Sequence, residues 1–143
     1  MKIDFELKGL EALINNIKDY EINKKTDVSN IVKDTALKIQ ANAKQRTPVK
    51  SGTLKRSIGI DLAPDEMSAE IGTNEEYAPH VEFGTAPRTI STKDSSTLSD
   101  GKQIYGKEVK HPGTKAQPFL FPAYEQEIPE YKSKLAEALR DVK

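Results

Sequence analysis

The 143-residue sequence contains no cysteine, which excludes a disulfide framework, a thiolate metal site and a cysteine nucleophile. No apolar run approaches the ~18 residues a membrane span needs, and the opening MKIDFELKGL lacks the uncharged stretch of a secretory signal. Together these absences predict a protein made and kept inside a cell. Net charge is missing too: 22 basic residues balance 22 acidic ones, which argues against a dedicated nucleic-acid or polyanion binder. Apolar residues reach only 36%, below the roughly 45–50% of an ordinary globular chain. Part of the chain is therefore expected to stay unpacked when alone, and the rest suits one modest core.

What is present divides into segments by periodicity. Ile3, Phe5 and Leu7 alternate with Lys2, Asp4 and Glu6 as in an extended piece, and Leu10, Leu13, Ile14 and Ile17 have the spacing of a short helix. Thr26 or Asp27 is a candidate N-cap for a helix running to about Arg46, with Val28, Ile31, Val32, Thr35, Ile39 and Ala43 on one stripe. Pro48 ends it. From there the period shortens to two: Ile58, Ile60 and Leu62 on one strand, Met67, Ala69 and Ile71 on a second, with Ala63 to Glu66 as the turn. Residues 77–83 fit either a helix or a strand and end at Gly84, a candidate C-cap. A polar stretch from 85 to 118, rich in Ser, Thr, Gly, Lys and Pro, is long for a structureless loop inside a compact domain. Within it Arg88 to Ser91 and Gln103 to Val109 are able to pair as a β-arm, which is expected to order fully only against a partner. Tyr124, Ile128, Tyr131, Leu135, Leu139 and Val142 mark a C-terminal amphipathic helix in which Pro129 predicts a kink or a restart. We read 1–143 as a single domain: a lead-in over 1–25, then an α+β unit over 26–143 with 85–118 inserted.

Charge is distributed unevenly along this chain. The balance is plus 2 over residues 1–48, minus 4 over 49–84, plus 3 over 85–118 and minus 1 over 119–143. An acidic hairpin beside a basic loop is what head-to-tail self-association uses, and ordinary surface variation is the plainer explanation.

Catalytic chemistry has little to work with. His80, Glu82 and His111 form the only grouping with metal-ligand character, but they lack the i, i+4 regularity of a helical ligand pair. A small metal-dependent hydrolase built on them is the weakest of three readings. The serines lie in polar turns without a nucleophile-elbow pattern, and the acid pairs Asp65–Glu66 and Glu75–Glu76 read as solvated. Arg88, Lys93, Lys102, Lys107, Lys110 and Lys115, with Tyr105 interleaved, are loop contact candidates, and non-specific touching of DNA phosphates within a larger assembly is one role for them. No catalytic residue, cofactor or resident metal is assigned.

Three separated motifs carry a family resemblance: TPVKSGTL at 47–54, YAPHVEFGT at 77–85 and HPGTKAQPFLFPA at 111–123. In this order and spacing, from about Val28 to the C-terminus, they resemble the tail-completion or head-tail joining proteins of long-tailed bacteriophages and prophages, often labelled minor tail or neck proteins. The resemblance implies an α+β fold with a long helix across a small antiparallel sheet and the last helix alongside. It further implies a non-enzymatic ring subunit, six-fold like the tail tube, located in the virion at the tail end and assembled in the host cytoplasm. Its partners would be other copies of itself, the tail tube or tail terminator and the head-tail connector, with no membrane. Motif positions matched here are Pro48, Gly52, Leu54, Tyr77, Ala78, Glu82, Gly84, Thr85, Pro118, Phe119 and Ala123. Physical chemistry gives several of them a fold role as well: Pro48 stops a helix, Gly52 permits a positive φ, Gly84 and Pro118 bracket the loop, and Phe119 with Phe121 is expected to anchor its return on one face of an extended segment. The long insertion after Gly84 departs from the family pattern.

Overall fold

The computed structural model describes residues 1–5, 22–91, 98–99, 104–106 and 108–140. Helix α1 (Ile22–Arg46) carries Val28, Val32, Ala36, Ile39 and Ala43 as a buried stripe at four- and three-residue steps. It begins four residues before the expected cap at Thr26. The local capping signal is overridden because the first turn lies beside the end of the last helix, where Lys24 Nζ approaches the Ala138 carbonyl at 3.4 Å. Ala36 belongs to the buried stripe and Ile31 is only partly buried, so the apolar face is rotated slightly from the one the branched residues suggest. At the C-terminal end the Thr47 N–H (3.0 Å) and Oγ1 (2.6 Å) both donate to the Ala43 carbonyl, carrying the helical bonding one residue past α1.

A five-residue helix, α2 (Thr53–Ser57), follows Gly52, whose φ of 76° makes the turn out of α1. Periodicity does not reveal so short an element. Strands β2 (Gly59–Leu62) and β3 (Ala69–Gly72) form the expected hairpin, and the N-terminal β1 (Lys2–Phe5) adds to the other edge of β3, giving the order β1-β3-β2. Both pairs are antiparallel, with Ile60 and Ile3 opposite Ile71 and with Asp61 and Asp4 opposite Glu70. Ile71 and Ala69 are buried against α1, while Asp61 and Glu70 face outward, where Lys2 Nζ reaches them at 3.4 and 3.2 Å. Leu62, expected on the buried face, sits at the end of an edge strand and is 42% exposed.

Residues Ala78–Phe83 are helical (α3), which settles the helix-or-strand choice, and Gly84 closes that helix with a φ of 73°. Beyond it β4 (Arg88–Ser91) pairs with β7 (Glu108–His111), and β5 (Leu98–Ser99) with β6 (Ile104–Gly106). The arm therefore exists, with its register shifted: Arg88 faces His111 and Ser91 faces Glu108. The short helix read at Leu10–Ile17 lies outside the described residues, as do Lys93, Lys102, Lys107 and Val142.

The last helix, α4 (Leu120–Arg140), runs antiparallel to α1 as its closest partner. Leu120, Ala123, Tyr131 and Leu135 bury against the α1 stripe, and burial raises the pKa of the Tyr131 phenol. Along the seam Arg46 donates to Gln126, Asn42 to the buried Glu127, and Lys38 to Glu130. This architecture is the α+β arrangement expected: one long helix between a small antiparallel sheet and a second helix.

Two predictions arise from α4. Pro129 lies inside the continuous helix, which does not restart there. Lacking an N–H, it leaves the Glu125 carbonyl without its helical donor, and its side is exposed. Pro129→Ala is therefore expected to stabilise the fold by about 1–2 kcal/mol, the ~3 kcal/mol interior penalty being offset partly by the looser unfolded chain. Chemical denaturation of both chains measures it. Glu130 accepts hydrogen bonds from Lys134 (2.8 Å) and Lys38 (2.7 Å), which hold its pKa down to about 2. Because the folded value lies below the unfolded one, its stabilisation is present above pH ~4.5 and is lost as pH falls toward 2. In denaturation across a pH series, the stability deficit of Glu130→Gln against the parent chain should therefore be full above pH ~4.5 and shrink as pH falls toward 2, and added salt should reduce it because the pair is half exposed.

Candidate functional site

Three separated stretches of sequence meet at the C-terminal end of α1. The first contact is made by Glu82, which is 2% exposed although it is a carboxylate. Its Oε2 accepts the backbone N–H groups of Phe119 (2.8 Å) and Leu120 (3.0 Å), and its Oε1 that of Phe121 (2.9 Å). Those are the orphan donors at the start of α4, where no Ser, Thr, Asp or Asn precedes the helix to cap it. A residue 37 positions away therefore does the capping, and its negative charge suits the positive helix end. Glu82 has no free oxygen to offer a metal. His80 is exposed, and His111 Nδ1 accepts the Gly113 N–H at 3.1 Å. The His80, Glu82 and His111 grouping is thus not assembled, and no cluster of three metal-ligating side chains occurs among the described residues.

The second contact closes the base of the arm. Thr85 and Thr114 exchange both backbone hydrogen bonds (2.9 and 3.1 Å), and the Gln117 N–H donates to the Val81 carbonyl at 2.8 Å. The two strands approach so closely that a Cβ on Gly84 would stand 2.5 Å from the Thr114 carbonyl oxygen, and Gly113, with a φ of 84°, passes equally close to Thr85. Both glycines are required by a positive φ and by backbone contact at once.

Between these contacts lies a groove of about 310 Å³. Pro48, Leu54, Tyr77 and Val81 form its apolar walls, and Lys50 and Lys115 stand at its rim. All three motif segments contribute to it. Tyr77 in the groove wall is 41% exposed, and Val49, next in the chain after Pro48, is 69% exposed. On the other side of the Glu82 cap, Phe83 and Phe121 form a tilted ring pair 5.7 Å apart, 62% and 43% exposed. Phe119 and Phe121 do not share a face, because α4 begins between them: Phe119 is fully buried and Phe121 turns outward.

Of the residues singled out from sequence, Pro48, Leu54 and Tyr77 line the groove together with Gly52. Ala78, Phe119 and Ala123 are fully buried beneath it, Thr85 pins the arm, and Pro118 is exposed on the strand returning to α4. Arg88 and Lys110 are exposed on the arm, Lys115 reaches the groove rim, and Tyr105 lies on β6. Sequence reasoning missed the capping role of Glu82 and the groove lysine Lys50. The signal for the first was available: a helix start without a local cap requires a distant acceptor.

No helix among the described residues is long and apolar enough to cross a membrane. Comparison with known families finds one match, over residues 11–84, to the model described as "Bacteriophage HK97-gp10, putative tail-component". The match takes in α1, the β2–β3 hairpin and α3, and ends at Gly84 where the arm begins, so TPVKSGTL and nearly all of YAPHVEFGT fall within it and HPGTKAQPFLFPA outside. No curated protein and no solved structure matches the chain. With just over half its length matched, the chain belongs to the HK97 gp10-like family of phage tail components.

Proposed function

We propose that this tail component is a non-enzymatic ring subunit that completes the tail end and bonds it to the head connector, in six copies matching the tail tube. The observation that carries this reading is the arm: a two-stranded ribbon that shares no strand with the core sheet and is fixed at its base by the Thr85–Thr114 pair. A ribbon of that kind, basic in sequence and attached to a rigid body, is suited to reaching a neighbouring subunit or the channel. Deleting the gene from an inducible phage or prophage and imaging the particles tests the reading. DNA-filled heads beside separate tails are the expected result. Normal virions would refute an essential joining role, and full heads bearing tails of abnormal length would point to tail termination instead.

A second reading, non-specific DNA contact in the neck channel, is favoured by the exposed Arg88 and Lys110 on the arm and Lys115 at its base. A steep loss of DNA binding with added salt would support it.

A further inference from the structure

The groove and the β2–β3 turn are complementary in charge and in apolar character, and they sit at different places along α1. The turn is built around Glu66, which has a φ of 59° and is held by Ser29 Oγ (2.8 Å) and Lys33 Nζ (2.6 Å) from the first half of α1. Asp65 Oδ1 accepts the Met67 N–H at 3.0 Å, and the Ala63 N–H reaches the Ser68 carbonyl at 3.1 Å. The tip is therefore organised before it meets anything. It presents exposed Leu62, Pro64 and Asp65, an apolar edge carrying a negative charge. The groove offers the converse: walls of Pro48, Leu54, Tyr77 and Val81 with Lys50 and Lys115 at the rim.

Ser29 and Lys33 lie roughly 20 to 25 Å of helix from the end of α1 at Arg46, beyond which the groove opens, so a chain cannot insert its own turn into its own groove. Two different surfaces on one rigid body make a head-to-tail contact, and such a contact closes into a ring when the rotation per copy allows it. We propose that the Leu62–Asp65 turn of one copy docks in the Pro48–Tyr77–Lys115 groove of the next. The inference rests on the ring reading above and names the two surfaces that would form the joint. A preorganised turn loses little freedom on docking, which favours this segment over an unstructured one.

The absence of cysteine makes the test clean. One chain carries Pro64→Cys alone and a second Gln117→Cys alone, both exposed positions that leave Asp65 and Lys115 in place, and each variant is first checked for unchanged thermal unfolding. Mixed at assembling concentration and treated with a short bis-maleimide, the pair is expected to give a covalent dimer at least tenfold above either variant alone. The doubly substituted chain is expected to give a ladder ending at the ring. Charge exchange is the second arm: Asp65→Lys and Lys115→Glu should each weaken self-association, and mixing the two variants should restore it in part. Light scattering that shows an assembled ring with no cross-link between positions 64 and 117 would overturn this contact while leaving the ring reading standing. A chain that stays monomeric and uncross-linked throughout would overturn the contact, and the particle images then decide the ring reading separately.

Discussion

Glu82→Ala is expected to lower stability by about 3–5 kcal/mol, enough to unfold a marginal domain at physiological temperature. The magnitude follows from what the carboxylate holds: three backbone N–H groups at 2.8, 3.0 and 2.9 Å, two of the three bonds fully buried. Removing the acceptor leaves those donors without partners at about 1–3 kcal/mol each, reduced where water enters the vacated space. Loss of an ordinary N-cap costs only about 1 kcal/mol, because an exposed helix end is rehydrated; this one is not exposed. Glu82→Gln should fall between, since one amide oxygen still accepts while the amide nitrogen opposes the third donor. Denaturation midpoints give the energies, and amide exchange at Phe119, Leu120 and Phe121 gives the mechanism. Loss of protection at all three amides is expected for Ala and only at those facing the amide nitrogen for Gln, whereas unchanged exchange in a destabilised variant would defeat the capping explanation.

Phe119→Ala should cost a similar amount, about 3–5 kcal/mol, by a different route. The ring is wholly buried among the core residues of α1, α3 and α4, so its deletion removes apolar contact and leaves a cavity that three packed elements cannot easily close. Phe121→Ala, two residues on, is the internal control: its ring is partly solvated against Phe83, and less than about 1.5 kcal/mol is expected. Equal losses at the two positions would contradict the placement of the α4 start. Because Glu82 holds the Phe119 amide, the Glu82 and Phe119 substitutions should also be non-additive when combined.

Much of this was legible in the residues. Strict alternation at Ile58–Ile60 and Ala69–Ile71 gave the hairpin, and the 28-32-39-43 spacing gave the long helix, because those patterns are direct projections of strand and helix geometry onto the chain. The arm announced itself by composition, though its register did not: two polar strands of four residues offer no buried face to fix pairing. α2 escaped because five residues make little more than one turn. The groove was invisible in a stronger sense. Pro48, Tyr77 and Lys115 are ordinary residues in three distant segments; the Glu82 cap, the Thr85–Thr114 pair and the Gln117–Val81 bond join the last two of these, and the end of α1 brings in the first. What the sequence offered was their coincidence as motifs, without the geometric reason for it.

The closure at Thr85–Thr114 has a consequence for how such a protein diversifies. The described strands between those two residues pair only with one another and share no strand with the β1-β3-β2 sheet, so a change of arm length leaves the register of that sheet in place. Lengthening an excursion pinned in this way is inexpensive, about 0.6 kcal/mol per doubling for a flexible loop. Gly84 and Gly113 are the two positions a change of arm must leave alone, because each combines a positive φ with a backbone contact that a Cβ would invade, and 28 residues lie between them in the sequence. On the joining role proposed above, the body is the fixed socket and the arm the fitting that can be changed without rebuilding it.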